Sequence, residues 1–202
     1  MRIFVGLLLV IGILTVGLVG TEPVFGQRKA PERVTIPELK DIPKLINQLK
    51  DKDPDKRALA IAGIAKRGEL RAKDVLEAVA PLCQLATTDP DTIVREQACY
   101  ALGTIVLEPK ESVEALTKVL EEDKELGVKR AAAAAIGPFG GNAKSAISAL
   151  RDAQKLGQEA DKAIRDAQIA KTKVENEGVR RAEAALGQAA GGALQQIAEA
   201  GK

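Results

Sequence analysis

One unit returns along this chain at offsets of about 38 and then 34 residues, a normal period for two-helix repeats. Its clearest copy reads Ala80-Pro81-Leu82-Cys83-Gln84-Leu85, then Asp89-Pro90-Asp91, then Val94-Arg95, Ala98 and Ala101-Leu102-Gly103. Leu82 and Leu85 give a first helix an apolar side, and the Asp-Pro-Asp stretch turns the chain. Ala98, Ala101 and Leu102 return at steps of three and four along a second helix. Asp89 is expected to cap that second helix, with Pro90 in its first turn, where the missing N–H is not needed. An upstream copy runs through Pro43-Lys44-Leu45, Leu49, Asp53-Pro54-Asp55, Arg57, Ala60 and Ile64. A downstream one runs through Ala115-Leu116, Val119-Leu120, Glu122-Asp123, Val128-Lys129, Ala132 and Ala135-Ile136-Gly137. A fourth, interrupted copy spans Ala146-Ile147 and Leu150 to Gly178-Val179-Arg180-Arg181, Ala182 and Ala185-Leu186-Gly187, with Val179 one residue out of register. No single unit can bury its apolar face, so stacked neighbours must supply the core.

These residues resemble the HEAT repeat family, including its branch known from phycobilisome lyases. The resemblance rests on the proline within the first helix (Pro43, Pro81), the Asp-containing turn, and Val94-Arg95 opening the second helix. It covers about residues 42–192. It implies an all-α, right-handed α-solenoid of about four HEAT-like helix pairs, an architecture that in the family serves mainly to bind proteins.

Composition agrees with closely packed helices. Hydrophobic residues are 46% of the chain but aromatics only 2%, and Ala supplies much of the apolar total. Ala has the highest helix propensity, and small side chains let backbones approach. The chain has no His, which removes the commonest general base and metal ligand. No CxxC or other metal spacing is present, nor any phosphate-binding glycine loop, nucleophile elbow or paired-carboxylate motif. Neither a cofactor nor catalysis is expected. A formal net charge of +2 provides no field for gathering nucleic acid, and stacking side chains are almost absent, so HEAT-like DNA glycosylases are a poor match.

At the N-terminus an apolar run from Ile3 to Val19 follows Met1-Arg2. As a helix it measures roughly 26 Å, close to the thickness of a bilayer core. Residues 1–26 read either as a signal peptide, cleaved after Val24-Phe25-Gly26, or as an uncleaved membrane anchor. A buried core helix is the lesser reading, because nothing downstream is comparably apolar. Neither cysteine lies near this segment, which argues against a lipoprotein. Residues 27–41 form a Pro-rich linker, and residues 42–202 the repeat domain. Export to a periplasmic or other extracytoplasmic compartment, or membrane anchoring there, is the expected location.

The fourth copy carries an inserted helical segment near residues 151–177. Leu156, Ala160, Ala163, Ala167, Ala170 and Val174 follow steps of four and three, the spacing of one helical seam, and Gly157 offers a place for a break. Ala149-Leu150-Arg151-Asp152-Ala153-Gln154 is echoed two heptads later by Ala163-Ile164-Arg165-Asp166-Ala167-Gln168. The segment either extends the fourth pair or projects to meet a partner or a second copy of the chain.

Basic residues open the successive second helices: Arg57, Arg95, Lys129, Arg130, Arg180 and Arg181. They form either a basic stripe for an acidic partner or pairs with turn acids such as Asp55, Asp91, Asp123 and Glu177. Tyr100 lies about 200° around its helix from the inward Ala98, so it faces outward, either packed against the neighbouring repeat or as a candidate binding anchor. Cys83 and Cys99 fall on the two helices of one pair, where they form either a disulfide or two small buried thiols. The functional expectation is a non-catalytic scaffold or adaptor of the cell envelope that binds a protein or peptide. The alternatives are an accessory subunit of a lyase-like or maturation enzyme, and a self-associating structural component.

Overall fold

The computed structural model describes residues 36–169 and 176–201. The expected signal or anchor segment at 1–26, most of the Pro-rich linker, and the seam positions Ala170 and Val174 lie outside the described residues. The described residues hold eight α-helices and no strand. They alternate as first and second helices of four pairs: α1 (Ile42–Gln48) with α2 (Pro54–Leu70), α3 (Val79–Thr88) with α4 (Thr92–Ile105), α5 (Pro109–Glu122) with α6 (Leu126–Ile136), and α7 (Ile147–Ile169) with α8 (Glu177–Glu199). Short 3-10 segments at Ala72–Ala78 and Gly137–Ala146 lead from one pair to another. Each second helix packs on the next, α2 on α4, α4 on α6 and α6 on α8, while α3 lies on α5 and α5 on α7. This is the stacked helical solenoid that the repeat requires.

Two acids in each of the first two turns divide the work. Asp53 caps α2, accepting from the Asp55 amide at 3.0 Å, with Pro54 in the first turn. In the second copy the cap is Asp91, which accepts from the amides of Ile93 and Val94, so the expected cap at Asp89 is wrong by two residues. The Asp-Pro pairs at 53–54 and 89–90 look alike but occupy different registers. Asp89 instead matches Asp51 and Asp123, each of which accepts the amide two residues onward. With its carboxylate held inward, Asp89 is not free to cap.

The core is a line of branched side chains, Leu82, Leu102, Leu116, Ile136 and Leu150 among them, each fully buried. Burying a side chain of this kind contributes about 1.5–3 kcal/mol. Between second helices the contact is made by small residues. A Cβ placed on Gly103 would stand 2.7 Å from the Cα of Ala135, so α4 and α6 meet backbone to backbone. Ala98, Ala101, Ala131, Ala132 and Ala135 are buried around that contact. The low aromatic content follows from this geometry, since a ring has no room between helices so close.

The fourth pair differs from the expected one in two ways. First, α7 runs through Gly157 without a break. A Cβ there would lie 2.5 Å from the Cα of Gly187 in α8, so this glycine serves helix contact and not chain reversal. The buried seam of α7 is consequently Ala149, Ala153, Gly157 and Ala160. Leu156, expected on the seam, is turned to its edge and is 36% exposed. The smallest residue must face the closest helix, and that rotates the larger one out. Second, a Cβ on Gly137 would meet the Gln196 side chain first and stand 3.3 Å from the Cα of Ala193, so the end of α6 faces this later stretch of α8. Ala193 therefore takes the place expected for Ala185, and the extra residues lengthen both helices of the pair.

The link from α4 to α5 carries two non-glycine residues with positive φ, Val106 at 49° and Glu108 at 44°. A left-handed residue ends a helix economically when it is Gly, but a branched Cβ there costs about 1–2 kcal/mol. Val106 is 37% exposed and loses little burial on truncation. Val106→Gly is expected to raise stability by about 1 kcal/mol, read as a higher thermal midpoint, despite the added entropy of the unfolded chain. A lower midpoint would show that the side chain's contacts outweigh the strain. Among the described residues no helix is long and apolar enough to cross a membrane.

Candidate functional site

The basic residues that open the second helices do not share one role. Arg57 lies flat in the joint between the first two pairs, only 7% exposed. Its Nε and Nη2 donate to the two carboxylate oxygens of Asp89, both at 2.7 Å, and its Nη1 donates to the carbonyls of Asp51 and Lys52. Arg95 repeats the arrangement one pair later. It donates to both oxygens of Asp123 at 2.7 and 3.1 Å, and to the carbonyls of Asp89 and Pro90. Each arginine thus ties its own turn to the turn of the following repeat. Lys129 ends the series, donating to the Glu121 carbonyl at 2.7 Å. The bidentate carboxylate bond is the main reason that both guanidiniums hold their protons more tightly than usual. Arg57 and Arg95 therefore hold the stack together and present no stripe to a partner.

Arg130, Arg180 and Arg181 remain at the surface. Arg130 lies 3.8 Å from Glu96 across the α4–α6 boundary, and Arg180 pairs with Glu183 at 3.4 Å. Arg181 pairs with Glu177. Arg180 is the fourth residue of α8, as Arg57, Arg95 and Lys129 are of their own helices, but it and Arg181 pair within α8 and not with the turn of another repeat. Sequence reasoning missed Asp89 as the acid of the first joint, and Asp51 as the turn residue whose carbonyl Arg57 holds. A signal exists: an Asp stands six residues before each of Arg57, Arg95 and Lys129, and those of the second and third copies, Asp89 and Asp123, receive the arginine of the copy before.

Burial raises the Asp123 carboxyl. The hydrogen bonds from Arg95 and the Glu125 amide, with the charges of Arg95 and Lys129, outweigh that and hold it below the ordinary value. A carboxyl with a depressed folded-state pKa stabilises fully above its unfolded value of about 3.9, and loses that contribution as pH falls through the folded value. The stability gap between the native chain and Asp123→Asn is therefore expected to stay constant above about pH 5 and to narrow below about pH 4. Chemical denaturation across pH measures it, and a gap that persists to pH 2 would mean the carboxylate is not held this way.

Tyr100 is 45% exposed on the outer side of α4. The positions matching it, five residues after each ladder residue, are Ala62 and Ala134, so Tyr100 is the large side chain at this register of the first three copies. Leu59 and Ile93 are also exposed on second helices, and Thr104 donates to the Tyr100 carbonyl. This outer face of α2, α4 and α6 combines apolar side chains with the Glu96–Arg130 pair.

Cys83 and Cys99 are both buried and both free thiols. Burial pushes each up to about 12, so neither is a thiolate at neutral pH. No group of Cys, Asp and Glu able to hold a metal ion occurs among the described residues.

The family description "HEAT repeats" matches residues 42–137 and, overlapping them, residues 79–170. The Hsp70 nucleotide exchange factor FES1 of Coccidioides immitis (strain RS) is 37% identical to this chain over 84 residues. That match covers 39% of this chain and 40% of the relative, so the chain spans about two fifths of the relative's length.

Proposed function

The chain belongs to the HEAT-repeat family, and from that premise we propose that it is a non-catalytic scaffold, binding a protein or peptide along the outer face of its second helices. Tyr100 is the anchor of that face. The observation that carries this reading is an aromatic side chain held half out of the structure, at a register where the adjacent copies carry alanine, in a chain with almost no other rings. Anchors of this kind supply much of the affinity at protein interfaces. Arg130 and Glu96, at the edge of the face, orient the partner by charge. The relative named as an exchange factor for Hsp70 acts on another protein, which supports a protein partner and makes a chaperone of that class the first to try. A right-handed superhelix that turns the second helices toward its concave side belongs to the same reading. So does placement in the cell envelope, which rests on the apolar run Ile3 to Val19. The accessory-subunit alternative draws on no residue beyond the repeat itself.

Crosslinking and affinity capture with the tagged full chain, followed by titration of the captured partner, tests this. Tyr100→Ala is expected to leave the thermal midpoint nearly unchanged and to weaken binding at least tenfold, about 1.4 kcal/mol or more. A partner bound equally by Tyr100→Ala would move the site elsewhere. Turnover by the chain without any partner would reject the scaffold reading.

A further inference from the structure

The exposed edge of α7 carries a charge pattern that is complementary to itself. Lys155, Glu159, Lys162 and Asp166 lie in one row at steps of four, three and four, and all four are exposed. Their signs alternate along the helix. None of them has an ion pair or side-chain hydrogen bond among the described residues, whereas Arg180 and Arg181 in α8 are paired with Glu183 and Glu177. Beside this row run Leu156, the apolar side chain turned off the buried seam, and the half-buried Ala163 two turns further on.

We propose that this edge of α7 docks against the same edge of a second copy of the chain, antiparallel, about a two-fold axis crossing between residues 160 and 161. A two-fold contact must be complementary to itself. Reversing the row + − + − gives − + − +, so Lys155 meets Asp166 of the other copy and Glu159 meets its Lys162, each pair occurring twice. In the same register Leu156 of one copy lies level with the gap between Ala163 and Ala167 of the other, a space that small residues leave open. The charged row spans about 17 Å of helix, so the dimer is weak and depends on concentration and salt. A two-fold contact along this row must be antiparallel, since a parallel two-fold sets each charge opposite its own copy.

Sedimentation velocity of the full chain over a concentration series tests this with two double variants. Lys155→Glu with Lys162→Glu makes the row wholly acidic, and Glu159→Lys with Asp166→Lys makes it wholly basic. Each variant alone is expected to keep its helical signal and to dimerise at least tenfold more weakly than the native chain. An equimolar mixture of the two is expected to restore association. A native mass that does not change with concentration would overturn the proposal. So would variants that associate as well as the native chain, or a mixture that fails to recover.

Discussion

Asp89→Ala is expected to destabilise the array by about 3–5 kcal/mol, because it leaves the Arg57 guanidinium buried without its counter-ion. The side chains of Arg57 and Asp89 are 9% and 3% exposed, and two hydrogen bonds of 2.7 Å join them. Removing the carboxylate orphans Nε and Nη2 of Arg57 and also takes the acceptor from the Asp91 amide, loosening the turn before α4. For a domain of this size the loss corresponds to a fall of roughly 10 °C in thermal midpoint. Arg57→Met alone is expected to cost a similar amount, since it strands the acid instead. The double variant Arg57→Met with Asp89→Ala should lose much less than the two singles together, because no charge is then left buried alone. Each pair of helices touches mainly its neighbours, so lost hydrogen-exchange protection should concentrate in α2, α3 and α4. Arg181→Ala is the control. That arginine is exposed with its partner on the same helix, and the change should stay within about 1 kcal/mol. A cost for Asp89→Ala no larger than the control's would mean that the joint is not held by this pair.

Gly187→Ala and Gly192→Ala, five residues apart in α8, are expected to change stability in opposite directions. Alanine is favoured over glycine within a helix by about 1 kcal/mol, and that gain is available at both sites. At Gly192 a Cβ meets nothing within 4 Å, so the substitution should stabilise by up to about 1 kcal/mol. At Gly187 a Cβ would stand 2.6 Å from the Cα of Gly157 and 3.2 Å from the Gln154 carbonyl oxygen. Backbone cannot rotate away as a side chain can, so α7 and α8 must separate. Overpacking of this kind costs about 1–3 kcal/mol and exceeds the helix gain. Gly157→Ala should behave like Gly187→Ala, and Gly157→Leu should cost more than either. Denaturant midpoints of the three alanine variants, measured together, decide the matter. Stabilisation at all three sites would place the two helices farther apart than the structure has them.

Much of the architecture could be read from the repeat. The offsets linking Arg57, Arg95 and Lys129 located the second helices, and the apolar steps of three and four identified their buried sides. Of the ladder's partners, Asp123 was named as an acid for a basic residue, but Asp89 was assigned to capping. Both Asp89 and Asp91 can cap a helix, and local chemistry does not say which one a distant arginine will claim. Tyr100 could be placed on an outer surface from its angle to Ala98 alone.

The fourth pair marks the limit of such reading. Its expected seam was right at Ala160 but took Leu156 in place of Gly157, and its second helix was aligned on Ala185 in place of Ala193. An Ala- and Gly-rich helix offers several nearly equivalent stripes, because its residues differ little in hydrophobicity. The sequence by itself determined that the chain is helical, repeats in pairs and buries small residues between second helices, because period and propensity are local properties. Only the tertiary structure decided which acid meets each arginine and which glycines touch. Those choices depend on distances between segments, about 30 residues apart in both Gly103–Ala135 and Gly157–Gly187, that no local pattern encodes.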